Sequence, residues 1–245
     1  MATQQVDLVR RQFEVQLDQY TNEKRVNDTS RTAAFLASTL GQSASGASLR
    51  ICEFGGADGI LLRHIREALP VPVELWNAEV VAAFRDKQAL PDIHFVETSI
   101  LAPAFAEGFF DVVIARNVMH HLIGTDLAES RSNQLNALKQ MRRVTRSGGF
   151  VIIEEQVNQS AASAKLLYYM SRLASRMKLS IPRFEITPYT IVAFLTQDEL
   201  EANVRAVVGE PDVIEYERYR LQWHWKMTML LRDTGIAFVA ARPQP

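Results

Sequence analysis

The sequence predicts an α/β fold, a parallel sheet covered by helices on both faces, with helices ahead of it and a helical insertion late in the chain. Three observations carry that prediction. From Leu49 to about Glu155, short apolar runs alternate with amphipathic helical runs, the pattern of a parallel sheet buried on both sides. The first apolar run ends in a glycine-rich turn, Gly55-Gly56-Ala57-Asp58-Gly59, which opens the next helix. A chain of 245 residues with 47% hydrophobic content can bury one substantial core, enough for one such domain with additions.

In order along the chain, Val6, Val9, Phe13, Leu17 and Tyr20 recur at helical spacing. After the polar break 22–27, Asp28 or Thr29 can cap a second helix carrying Ala33, Phe35, Leu36 and Leu40, so residues 1–40 read as an N-terminal helical cap. A Gly/Ser-rich connection, 41–48, leads into the main domain, 49–245. Strands are expected over 49–54, 73–77, 93–98, 110–116 and 150–154, and helices over 60–69, 80–89 and about 130–145, with Gly148-Gly149 stopping the last helix. Residues 156–195 break the alternation. Leu166, Leu167, Tyr169, Met170, Leu173 and Met177 mark a helix that leads into Ile181-Pro182 and Thr187-Pro188, an inserted lid over the ligand edge of the sheet. Thr196-x-x-Glu199 is a capping box for a helix with the stripe Leu200, Val204 and Val207, and two further strands are expected over 213–219 and 236–241.

Composition narrows the function classes. The formal net charge is −1 and no segment concentrates Lys and Arg as a nucleic-acid footprint would. The one local basic cluster, Arg172, Arg176, Lys178 and Arg183, reads as a solvated helix face or the entrance for an anionic substrate. Cys52 is the only cysteine and sits inside an apolar strand, so it reads as a small core residue. The N-terminus lacks the apolar stretch of a signal peptide, and no apolar run reaches the length of a membrane span. The expectation is a soluble cytoplasmic protein, with a homodimer contact through 156–195 left open.

The glycine turn follows Glu53, giving Glu-x-Gly-x-x-x-Gly, and the second strand ends in Asn77-Ala78-Glu79. The fourth strand and its continuation read Phe109-Phe110-Asp111-Val112-Val113-Ile114-Ala115-Arg116-Asn117-Val118-Met119-His120-His121-Leu122, followed by Leu138-x-x-Met141-Arg142-Arg143-Val144-Thr145-Arg146-Ser147-Gly148-Gly149-Phe150. The glycine turn resembles the first motif of class I S-adenosylmethionine (SAM) dependent methyltransferases, with Ala57 where the middle glycine usually stands. The later segments resemble the "HHl" and "RvLkPGG" segments of UbiE-like small-molecule methyltransferases, with Thr145 for Leu and Ser147 for Pro. The resemblance covers roughly the middle half of the chain. It implies a Rossmann-like, doubly wound, seven-stranded and mostly parallel sheet, SAM as cofactor and methyl transfer to the oxygen, nitrogen or carbon of a small organic acceptor.

The same resemblance places residues around the cofactor. Glu53, Gly55, Gly56, Ala57 and Gly59 surround its amino-acid half, and Glu79 takes the ribose hydroxyls, with Asn77 as the alternative. Ser99 replaces an aspartate at the adenine, Ile100 packs on the ring, and Arg116 and Asn117 line the floor between cofactor and acceptor. Ala57 is tolerable if its φ is negative, with Gly56 carrying any strained conformation. His120 and His121 are candidates for a general base, since an unperturbed histidine titrates near neutrality; the competing reading is a structural pair. Tyr20, Tyr168, Tyr169 and Tyr189, with Met170 and Phe184, are candidates for an acceptor pocket or plain core. No ligand set for a metal is expected. Two other functions stay open: a non-catalytic SAM-binding or scaffold protein of this fold, and an NAD-dependent oxidoreductase, which the glycine spacing and the lack of Tyr-x-x-x-Lys disfavour.

Overall fold

The structure, a computed structural model, describes residues 10, 14, 30–41, 48–179, 190–218 and 234–243. After helix α1 (Ser30–Leu40) come β1 (Leu49–Phe54), α2 (Ile60–Ala68), β2 (Val73–Glu79), β3 (His94–Glu97) and β4 (Phe110–Arg116). They are followed by α3 (Leu127–Val144), β5 (Thr145–Asn158), α4 (Ala161–Arg176), β6 (Leu195–Thr196), α5 (Gln197–Val207), β7 (Pro211–Arg218) and β8 (Thr234–Ala241). The strands form one sheet in the order β3-β2-β1-β4-β5-β8-β7, and β6 pairs with the end of β5. β8 runs antiparallel to β5 and β7, and the other pairings are parallel. The doubly wound, seven-stranded expectation therefore holds, with one two-residue strand added.

Strand alternation divides the core in two. Ile51, Leu75, Val112, Ile114, Phe150 and Ile152 point to one face, where α1 and α2 cover them. Cys52, Phe54, Val113, Ala115, Val151 and Ile153 point to the other, beneath α3 and α5. The buried side of α2 (Ile60, Leu61, Leu62 and Ile65) closes the first face. The capping box of α5 is complete: Thr196 Oγ1 accepts from the Glu199 N–H at 3.1 Å and Glu199 Oε2 accepts from the Thr196 N–H at 2.8 Å.

Two expected elements take different forms. In place of a helix over 80–89 there is one 3-10 stretch, Ala82–Lys87. Its two ends are claimed by other partners: Glu79 accepts from the N–H groups of Val80 and Val81, while Gln88 and Ala89 both donate to the glycine turn. Gly148-Gly149 does not stop α3, which ends at Val144; the pair lies inside β5, where the register against β4 shifts between Phe110 and Val112. A Cβ on Gly149 would stand 2.5 Å from the Asp111 carbonyl oxygen, so the close strand approach is what requires glycine there.

Candidate functional site

A row of polar side chains closes the α1/α2 face at the strand C-termini. In register, Glu53 of β1 lies beside Asn77 of β2, and Arg116 of β4 lies beside Glu154 of β5. These residues continue the rows that begin with Ile51, Leu75, Ile114 and Ile152, so the alternation that buries the apolar residues also brings the four polar ones together. Glu53, Asn77 and Glu154 are each at most 2% exposed. Arg116 Nε stands 4.0 Å from Glu53 Oε1, and Thr32 of α1 donates to Glu154 Oε2 at 2.9 Å. Glu53 Oε2 and Asn77 Oδ1 are buried with no hydrogen-bond partner. Burial pushes the Glu53 carboxyl up from 4.5 to about 7, against the pull of Arg116 and with smaller pushes from Asp58, Glu79 and Glu154.

The glycine turn is moulded to this row. A Cβ on Gly56 would lie 2.7 Å from Asn77 Oδ1 and 2.8 Å from Glu53 Oε2, so the two unpartnered oxygens converge on the one position that has no side chain. Asn77 Nδ2 donates to the Ala57 carbonyl and to Gln88 Oε1, both at 2.9 Å, and Gln88 Nε2 donates to the same Ala57 carbonyl at 2.9 Å. The expectation of a negative φ at Ala57 is overturned. Ala57 itself is left-handed, at φ 47°, while Gly56 is not among the positive-φ residues. Three anchors on the Ala57 peptide groups hold it there: Asn77 and Gln88 on its carbonyl, and Glu79 Oε2 on its N–H at 3.1 Å. Glycine at 56 thus answers a steric need, and Ala57 carries the backbone strain.

Glu79 is buried, at 5% exposure. Its carboxylate accepts from the N–H groups of Val80 at 2.7 Å, Val81 at 3.0 Å and Ala57 at 3.1 Å. With about four acceptor positions on a carboxylate, this leaves room for about one further donor, not for the pair of ribose hydroxyls. Burial raises its pKa and the three N–H groups oppose the rise. Ser99 Oγ accepts from the Leu101 N–H at 3.2 Å, and Ile100 is buried in the core behind it. Asn117 is exposed and left-handed at φ 54°, and its N–H donates to the Glu154 carbonyl. Arg10 reaches the same edge, donating from Nε to the Val80 carbonyl and from Nη2 to Glu97. Cys52 is inert: burial, with the neighbouring Glu53 charge, pushes its thiol well up.

The His-His pair lies on the opposite face, on a 3-10 turn, Met119–His121, just past β4. His120 Nδ1 stands 2.5 Å from Glu155 Oε1, and the ring stacks on Phe194 at 5.1 Å. Glu155 Oε1 also accepts from the Gln156 N–H, and its Oε2 accepts from the Met119 N–H at 2.7 Å. The carboxylate, itself an acceptor only, thus sees Nδ1 as a donor, so Nε2 of a neutral His120 is the acceptor nitrogen. His121 differs: burial and the neighbouring His120 hold its pKa well below the ordinary value. Backbone ties lock the turn to the chain before β6, with Ala193 N donating to the His120 carbonyl and Gln134 Nε2 bridging the Met119 and Ala193 carbonyls.

Among the aromatic candidates, Tyr168 is core. It is 1% exposed, packs with Ile123 and Ala193, and its hydroxyl accepts from Arg172 Nη1 at 2.8 Å. Tyr169 and Met170 point outward, 53% and 46% exposed, so helical spacing misassigned their face. Tyr20, Phe184, Tyr189 and the apolar positions Val6, Val9, Phe13 and Leu17 lie outside the described residues. The sequence reading missed Glu155, Glu154, Thr32 and Gln88. The available signal was the adjacent Glu154-Glu155 at the end of an apolar strand, which sends one carboxylate to each face. Among the described residues no group of three or more His, Cys, Asp and Glu could hold a metal ion.

A doubly wound sheet with a glycine turn and strand-end acids at its switch point defines a class: α/β domains that bind a nucleoside-type cofactor outside the strand C-termini. The profile of the family described as "Methyltransferase domain" matches residues 25–227, and the chain belongs to that family. It is 29% identical over 138 residues to the ubiquinone/menaquinone biosynthesis C-methyltransferase UbiE of Coxiella burnetii, covering 52% of each chain. It is 28% identical over 137 residues to the non-reducing polyketide synthase atr1 of Stereocaulon alpinum, covering 52% of this chain and 5% of that protein. The chain thus spans about half the length of UbiE and a small part of the synthase. In fold it is similar to geranyl diphosphate C-methyltransferase from Streptomyces coelicolor A3(2), with a TM-score of 0.57 at 12% identity over 87% of this chain and 79% of that one. The family match sets the oxidoreductase alternative aside.

Proposed function

We propose that this protein transfers the methyl group of SAM to a small organic acceptor whose nucleophile is exposed by loss of a proton. The observation that carries the cofactor half of this reading is the pair of unpartnered acceptors, Glu53 Oε2 and Asn77 Oδ1, converging on Gly56. A buried acceptor without a donor is costly, and an ammonium group supplies donors and a compensating positive charge together. Glu53 and Asn77 would hold the cofactor's ammonium, directly or through a water, and Gly55, Gly56, Ala57 and Gly59 would line its amino-acid half. Glu79 would take one ribose hydroxyl. Ser99 and Ile100 stand at the adenine end, and Arg116 and Asn117 form the floor between cofactor and acceptor.

When bound, SAM supplies an electrophilic methyl on a sulfonium. This chain's own work is then to align the acceptor, exclude water and accept a proton. Glu155 fixes the ring of His120 and leaves Nε2 as the acceptor nitrogen, so His120, rather than His121, would take the acceptor's proton, to be returned to solvent after transfer. The matching acceptors are small molecules with an ionisable C–H or O–H. The single, buried cysteine suits a reducing, cytoplasmic setting.

Titration calorimetry with SAM and S-adenosylhomocysteine tests the cofactor half, with both expected to bind wild-type protein and Glu53→Gln to bind each at least about tenfold more weakly. Folded protein that binds neither ligand would sink the proposal.

A further inference from the structure

The basic cluster picked out in the sequence is not used by the site described above. Arg172 and Arg176 lie on α4, whose two sides are unlike, Lys178 follows its end, and Arg183 lies outside the described residues. Ala164, Tyr168 and Ala174 face inward, and Arg172 Nη1 fastens the helix to the body through the Gly124 carbonyl at 3.0 Å. The outer side shows Leu166, Tyr169, Met170, Leu173 and Met177, each between 46% and 60% exposed. At about 100° per residue, these five fall within an arc of about 100°, forming one unbroken stripe along the helix. Lys165 and Arg176 border the stripe on one side and Lys178 follows its end; all three are exposed, and none forms an ion pair among the described residues. From Gln156 to Phe184 the sequence has no Asp or Glu.

We infer that the outer face of α4 seats on an anionic lipid surface, with the Leu-Tyr-Met stripe entering the headgroup boundary and Lys165, Arg176 and Lys178 meeting the lipid phosphates. An amphipathic helix with an apolar stripe and a cationic border lies in the plane of a membrane interface. Tyrosine suits the headgroup level, because its ring is apolar and its hydroxyl polar. The charge pattern argues against a second copy of this chain. A two-fold contact would bring the patch against itself and crowd like charges with no acid in the segment to answer them. It also distinguishes lying on a bilayer from crossing one: no described helix is long and apolar enough to span a membrane.

Co-sedimentation of the full chain with vesicles tests this inference, using phosphatidylcholine alone and phosphatidylcholine with phosphatidylglycerol in roughly a 2:1 ratio. The protein should pellet with the anionic vesicles and stay in solution with the neutral ones, and about 0.5 M salt should release much of it. Lys165→Glu with Arg176→Glu, and separately Leu173→Gln with Met177→Gln, should each lower partitioning about tenfold or more. All four positions are exposed, and an unchanged melting temperature in each variant shows that folding is not the cause of the loss. Equal partitioning on both vesicle types would overturn the inference, as would no partitioning. So would a dimer, seen by sedimentation velocity, that Leu173→Gln with Met177→Gln dissolves, because the stripe would then be covered by a second copy.

Discussion

The two faces of the sheet end in polar groups of opposite kinds. On the α1/α2 face, Glu53 and Asn77 keep buried oxygens with no donor, and the strained Ala57 is held in place around them. On the α3/α5 face, Glu155 is fully engaged by His120, Met119 and Gln156. The first arrangement is a socket that something with donors completes. The second is already complete and leaves one imidazole nitrogen oriented. Adjacent residues of one strand, Glu154 and Glu155, face the two different systems, so a single apolar strand contributes one carboxylate to each.

If that division is right, variants on the two faces separate binding from turnover. His120→Asn should lower kcat by about 10²–10⁴ while leaving the dissociation constant for SAM unchanged. Loss of cofactor binding in that variant would merge the two systems. Gly56→Ala drives a methyl against Glu53 and Asn77, so it should cost about 1–3 kcal/mol of stability and remove detectable cofactor binding, read by thermal melting with and without S-adenosylhomocysteine.

Glu53→Gln sharpens the comparison through pH. With its carboxyl raised to about 7, folded Glu53 keeps a proton that the unfolded chain has released above about pH 4.5, so its contribution to apo stability falls as pH rises through that window. The lost stability is on the order of 3 kcal/mol above pH 7, at about 1.36 kcal/mol per unit. Gln carries no such charge, so denaturant melts at about pH 8 should show the variant more stable than wild type without ligand, even though it binds cofactor more weakly. The smallest effect belongs to Ala57→Gly. It relieves a left-handed Cβ at the cost of a more flexible unfolded chain, and should raise stability by about 0.5 kcal/mol. A decrease would mean that φ of 47° costs Ala57 nothing.

The sheet was legible in the sequence because a fully buried strand is a run of apolar residues and each of the first four ends at a polar break. What alternation also encodes, and single residues do not, is which strand-end polar groups share a face. Glu53, Asn77, Arg116 and Glu154 could each be read as an isolated strand end, whereas in register they form two neighbouring pairs on one face, Glu53 with Asn77 and, one step further along, Arg116 with Glu154. The 3-10 stretch after β2 was not legible because its length is set by contacts from Glu79, Gln88 and Ala89 to groups outside its own pattern. Tyr169 and Met170 were misplaced for a related reason. A helix with apolar residues on most of its circumference has no sequence signal for which side faces the core.

The most direct test of the socket is the affinity of wild-type protein for S-adenosylhomocysteine, measured by calorimetry from about pH 6 to about pH 8. An ammonium ligand favours the ionised carboxylate, so affinity should rise with pH through about 7, binding should release a proton near that pH, and Glu53→Gln should abolish both the rise and the release. A flat profile, or one that survives Glu53→Gln, would contradict the placement of the cofactor's ammonium at Glu53.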